Sequence, residues 1–289
     1  MNEIQRLLCH VSDGPRAADV LRFALRVAQP WQAQVSAVHA VEPMPTGAYL
    51  SPEASTIAAQ LSLETERARQ EQATRVVASV AQGAGVELPF EACQGDPLAA
   101  LLARARSADL LVLGQRDPEH NDGMTAGMAS SLVVGSSCPL LFHPFAGEFE
   151  TCGTRVLVAW LPSRESARAL RDALPFLRRA KVVELVQFAK QEDAHEQPLN
   201  DALAHLLRHG VKATGAVRQS REPSITERML SPWTPDASVA EALLSHAADF
   251  GADLIVMGGY GHSRAWELAL GGVTRTILQS MTVPVLMSN

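Results

Sequence analysis

The sequence predicts an α/β protein made of two tandem domains, each a doubly wound, five-stranded parallel sheet covered by helices. Three observations carry that prediction. Sequence blocks of the first half recur in the same order in the second. Short unbroken apolar runs alternate with segments of helical spacing. Alanine, leucine and valine abound, while aromatic residues make up only 5% of the chain, which favours helices packed on a parallel sheet over an aromatic-rich sandwich.

The repeat comes first because it sets the domain count. Arg6-Leu7-Leu8-Cys9-His10-Val11 aligns with Arg155-Val156-Leu157-Val158-Ala159-Trp160. Ser107-Ala108-Asp109-Leu110-Leu111-Val112-Leu113-Gly114 aligns with Gly251-Ala252-Asp253-Leu254-Ile255-Val256-Met257-Gly258. Cys138-Pro139-Leu140-Leu141-Phe142 aligns with Val283-Pro284-Val285-Leu286-Met287. A period of about 145 residues is too long for a solenoid and fits a duplicated domain. The non-periodic joint Gly147–Gly153 divides the chain into domains 1–148 and 152–289.

In chain order, the first copy opens on a strand ending near Val11. A helix follows, with Ala17, Val20, Leu21, Ala24, Leu25 and Ala28 at helical spacing. The proline-bearing stretch Glu42–Pro52 reads as an exposed loop leading to a long helix over Ala58–Ala81. A shorter helix covers Pro97–Arg106, and Leu110–Leu113 is the continuous apolar kind of strand buried on both faces. The second copy repeats the scheme, with Ala167, Leu170, Ala173, Leu174 and Leu177 in its first helix. Helices over Asn200–Arg208 and Val239–Phe250 precede the strand Leu254–Met257. Between those helices, Arg218–Ala237 reads as an exposed excursion in which Trp233 is a candidate anchor for a partner or a cover for the cleft. Strands alternating with helices imply a parallel sheet, with the first and fourth strands of each half flanking the switch point where ligands bind.

Composition excludes several classes. The net charge is −6 with no basic block, so the electrostatic footprint of a nucleic-acid-binding protein is missing. No stretch of some 18 apolar residues argues for a membrane span, and the start does not read as a signal peptide. Cys9, Cys93, Cys138 and Cys152 are far apart and form no CxxC pair. They read as reduced thiols in a cytoplasmic protein.

The chemistry-bearing segment follows the fourth strand of the second copy: Gly258-Gly259-Tyr260-Gly261-His262-Ser263-Arg264, then Gly271-Gly272-Val273-Thr274-Arg275 and the helical run Thr276–Met281. Glycines let backbone N–H groups approach a phosphate, and a helix start adds its positive dipole end. Thr274 supplies a hydroxyl, while His262, Ser263 and Arg264 are within reach of phosphate oxygens. The same glycines are also what tight strand–helix turns require.

These residues resemble the universal stress protein family in its two-domain form, whose nucleotide-binding members share G-x2-G-x9-G-[ST]. Gly258, Gly261 and Gly271 match its three glycines; Gly272 stands where Ser or Thr is usual. The resemblance covers nearly the whole chain. It implies the adenine-nucleotide α-hydrolase-like, Rossmann-like architecture, and an intramolecular pseudo-dimer whose last strands pair antiparallel. It also implies a stress-response protein that binds ATP or a related adenine nucleotide, with or without Mg²⁺, in its C-terminal domain. Two departures stand out. The Asp that binding members carry at the end of the first strand is Ser12 in one copy, with Asp13 next door as a substitute after a local shift, and Leu161 in the other. In the first copy the loop reads Gly114-Gln115-Arg116-Asp117, with Ala126 or Gly127 at the third glycine, so that copy is expected to be degenerate and its Asp117, Glu119 and Asp122 to repel a triphosphate.

The other constellations are thinner. His205 and His209 share a helix face without a third ligand. No G-x-S-x-G elbow and no G-x4-G-K-[ST] loop exist, so regulation rather than catalysis is expected, with at most weak ATP hydrolysis. The competing expectation is a ligand-free scaffold in which both clefts have decayed; a further homodimer is open.

Overall fold

The computed structural model describes residues 3–41, 51–120, 124–189, 197–219, 234–260 and 272–289. The first half runs β1 (Arg6–His10), α1 (Ala17–Ala28), β2 (Gln34–His39), α2 (Pro52–Ala84), β3 (Phe90–Ala92), α3 (Pro97–Ala105), β4 (Leu110–Gly114), α4 (Ala126–Gly135) and β5 (Leu140–His143). The second runs β6 (Arg155–Ala159), α5 (Arg164–Asp172), α6 (Leu174–Leu177), β7 (Val182–Ala189), α7 (Gln197–Arg208), β8 (Thr214–Gln219), α8 (Thr234–Phe250), β9 (Leu254–Gly258), α9 (Gly272–Ser280) and β10 (Val285–Ser288).

All ten strands form one sheet in the order β3-β2-β1-β4-β5-β10-β9-β6-β7-β8. Within each half every pairing is parallel, and β1/β4 and β6/β9 are the neighbours at which the strand order reverses. The halves meet where β5 and β10 pair antiparallel, with Leu141 opposite Leu286. Continuous apolar strands are needed because both faces are covered. Leu7, Val156, Val158, Leu254 and Val256 point to the face that carries α1, α2, α5, α6 and α7. Leu8, Leu157, Ile255 and Met257 point to the face that carries α3, α4, α8 and α9. Both cores run through both halves. Each fully buried Leu or Val contributes about 1.5–3 kcal/mol relative to exposure, so the halves share a large part of their stabilisation.

The repeated Asp has a structural task. Asp253 accepts from the backbone N–H groups of Gly153 (3.1 Å), Thr154 (3.0 Å) and Arg155 (2.8 Å), fixing the entry into β6. Its counterpart Asp109 accepts from Gln5 and Arg6, both at 2.9 Å, at the entry into β1.

Several element boundaries differ from expectation. The helix expected over 58–81 extends from Pro52 to Ala84, opened by Ser51, whose hydroxyl accepts from the Ala54 N–H, and closed by Gly85 at φ 66°. Helix α4 was not expected at all: its run of Gly, Ser and β-branched residues has weak helix propensity and no clear apolar period. It forms because Met128, Ala129, Leu132 and Val133 are buried in the shared core. The excursion expected over 218–237 is shortened at both ends, by β8 and by the start of α8. Trp233 and residues 42–50 lie outside the described residues.

Candidate functional site

At the C-terminal ends of β6 and β9 lies a cavity of about 170 Å³. Its apolar end is walled by Val186 and Phe188 of β7 with Val239 and Leu243 of α8. The opposite wall is the first turn of α9, comprising Gly272, Val273 and Thr274. Trp160, Leu161, Ser163 and Glu165, from the β6–α5 connection and the start of α5, line the side between them. The arrangement places apolar side chains beside a helix N-terminus, a combination suited to an apolar group joined to an anionic one.

Of the residues the sequence singled out, Gly258, Gly272 and Thr274 line this cavity together. Gly261, His262, Ser263, Arg264 and Gly271 lie outside the described residues. The structure supplies a second reason for the glycines it does describe. A Cβ on Gly258 would lie 2.6 Å from the Ser166 nitrogen and 2.7 Å from the Glu165 carbonyl carbon, so the start of α5 packs directly on this position. A Cβ on Gly259 would lie 2.3 Å from Cγ1 of Val133, in α4 of the other half. The Gly259 N–H donates to the Ser288 carbonyl at 2.8 Å, and its own carbonyl accepts from Asn289. Tyr260, at φ 57°, donates its backbone N–H to the Thr274 hydroxyl at 3.2 Å. Close packing and loop bracing thus explain Gly258, Gly259 and the Thr274 oxygen without a ligand.

Sequence reasoning missed Glu165, the carboxylate that lines the cavity. Its side chain is 14% exposed, and its Oε1 lies 3.2 Å from Nε of Arg164, which is 78% exposed. The legible signal was its place in the first turn of the helix after the switch-point strand. Leu161 turns its backbone to use instead, its carbonyl accepting from the Ser163 N–H at 2.7 Å. Ser163 caps α5 by accepting from Ser166. The indole nitrogen of Trp160 is buried and has no hydrogen-bond partner among the described residues.

Sequence profiles described as the universal stress protein family match residues 3–144 and, separately, residues 154–289. The chain belongs to the universal stress protein family. No curated protein matches it in sequence. Among solved structures, a universal stress protein from Archaeoglobus fulgidus DSM 4304 is similar over 99% of this chain and 97% of its own, with TM-score 0.65 and 15% identity. A functionally unknown protein from Pseudomonas aeruginosa PAO1 is similar over 99% and 92%, with TM-score 0.58 and 13% identity. A universal stress protein solved in complex with cAMP covers 50% of this chain and 100% of its own, at TM-score 0.30 and 16% identity. At these identities the likeness to the first two establishes the fold alone.

The first universal stress domain is built differently around its own switch point. Gln115, at the position of Gly259, is buried, donates to the Leu278 carbonyl of α9 at 3.1 Å and accepts from the Phe145 N–H at 3.0 Å. Asp117 does not face a phosphate site as an unattached charge. It accepts from the Glu119 N–H at 2.9 Å and from the His120 ring at 2.7 Å, and the His120 hydrogen bond holds its carboxyl below the usual range. His10, which takes the place of Ala159 in the repeat, is buried with Nε2 2.9 Å from the Ala40 carbonyl. A separate cavity of about 290 Å³ lies beside Gly114, Gln115, Met124 and Ala126, closed by Leu278 and Gln279 from the other half. Asp122 lies outside the described residues.

His205 on α7 and His209 just past its end have ring centroids 4.6 Å apart and ring planes tilted by 58°, and His246 of α8 bonds Glu184 at 2.8 Å. Among the described residues no group of three or more His, Cys, Asp or Glu side chains is placed to hold a metal, and no helix is long and apolar enough to cross a membrane.

Proposed function

We propose that this universal stress protein binds an adenine nucleotide, or a related phosphate-bearing adenine ligand, in the cleft of its second domain, and that binding is regulatory rather than catalytic. The observation that carries the reading is the single cavity that joins the apolar slot of Val186, Phe188, Val239 and Leu243 to the first turn of α9. The described residues fit an adenine and a nearby anion by type. They include no lysine positioned as in a phosphate-transfer loop, so turnover is not expected. In this reading residues 1–148 form a degenerate partner domain and residues 152–289 the binding domain, paired as a pseudo-dimer in the cytoplasm.

Calorimetric titration of the nucleotide-stripped full chain with adenosine, AMP, ATP and cAMP, with and without Mg²⁺, tests it. Saturable binding near one site per chain, lost in Val239→Trp and in Gly261→Val, is the expected result. Absence of binding by all four up to millimolar concentration overturns it.

One observation favours a second reading, a ligand-free scaffold. Gly258 and Gly259 have packing reasons to be glycine, and the backbone N–H groups of Gly259 and Tyr260 are already engaged. On that reading the cleft is a remnant, and function resides in the surface.

A further inference from the structure

We infer that Glu165 sets the charge preference of the second-domain cleft, making it select an adenine ligand of low negative charge, a nucleoside or monophosphate, over a free triphosphate. The inference rests on the proposed adenine-ligand reading and specifies which member of that class fits. Among the described residues Glu165 is the one acidic residue that lines the cavity, and no Lys or Arg lines it. Its position is fixed by the backbone: α5 begins against Gly258 so closely that no Cβ fits between them. Glu165 therefore lines the same cavity as the α9 start, the end at which phosphates would gather.

An acidic residue in a first helical turn is an ordinary complement to the dipole, and such residues usually sit in water. This one is 14% exposed, and its partner Arg164 lies at the surface, where solvent and salt weaken the pairing. Glu165 is thus a largely buried charge at the cleft wall, where charges are less screened than in water. A carboxylate there accepts hydrogen bonds from the hydroxyl and amino groups of a nucleoside and repels each added phosphate charge.

The test compares affinities for adenosine, AMP and ATP, in EDTA and then in Mg²⁺, for the full-length wild type, Glu165→Gln and Glu165→Asp. In EDTA the wild type is expected to bind ATP at least tenfold more weakly than AMP or adenosine. Glu165→Gln should narrow that gap by about tenfold, by gaining ATP and losing adenosine, while Glu165→Asp keeps the wild-type order. Mg²⁺ should narrow the wild-type gap and leave Glu165→Gln nearly unchanged. An ATP-to-adenosine ratio that is the same in wild type and Glu165→Gln overturns the inference while leaving the adenine-ligand reading standing. Binding of none of the three by any variant overturns both.

Discussion

The phenol of Tyr260 donates to the hydroxyl of Ser130, which in turn donates to the Ala126 carbonyl at 2.7 Å. The loop leaving β9 is thereby hydrogen-bonded to the last helix of the other half. Burial raises the phenol above its ordinary pKa and keeps it a donor. Tyr260→Phe should cost about 1 kcal/mol in urea unfolding. In a double-mutant cycle with Ser130→Ala, a coupling of about 0.5–1 kcal/mol is expected, and strict additivity would show that the bond contributes nothing.

Gly259 and Val133 form the steric counterpart of that contact. Gly259→Ala should destabilise the protein by about 1–3 kcal/mol, because a β-branched side chain on a helix has no alternative rotamer to retreat into. Combining it with Val133→Ala should recover part of the loss, leaving the double variant more stable than the sum of the singles. Gly258→Ala meets backbone atoms instead, and no side-chain change should rescue it. Recovery of Gly258→Ala by trimming Glu165 would contradict this account.

His143 gives the pH dependence. Burial, with Arg16 second, lowers its pKa from 6.5 to about 4, and it stands between the rings of Phe23 and Phe149. The unfolded chain therefore takes up this proton first. Its contribution is undiminished above pH 6.5, is lost progressively as pH falls from 6.5 to 4, and changes little below that. The whole effect is up to about 3 kcal/mol. Stability measured across that window should fall less steeply in His143→Leu; parallel curves would show that the imidazole is not the group responsible.

Asp253 and Asp109 hold the two strand entries with three and two backbone hydrogen bonds. Asp253 is half-buried and Asp109 exposed. Asp253→Ala should therefore cost about 2–3 kcal/mol and Asp109→Ala less, with Asp253→Asn in between. Denaturant midpoints that place Asp109→Ala below Asp253→Ala would reverse the ranking.

The duplicated architecture was readable because each half carries the same three blocks and both faces of the sheet demand uninterrupted apolar strands. Helix α4 was not, since its residues favour no local structure and only the core of the joined halves makes it helical. At the cleft, Gly258 and Thr274, singled out from the sequence, line one cavity. Their neighbours did not follow from the sequence, because the atoms that crowd Gly258 and Gly259 come from the start of α5 and from the other half. Glu165 was overlooked for a related reason: a charged residue in a first helical turn has the same local signature whether it faces water or a cavity.

Gly259 lies against Val133, and at the matching place in the other half Gln115 reaches Leu278. In an assembly of two identical subunits these contacts would be one contact seen twice, and every substitution would alter both. Covalent fusion separates them into independently heritable positions. A duplicated protein of this kind has lost the freedom to exchange its halves, and what it gains is the ability to let one cleft change while the contact that supports the other is kept.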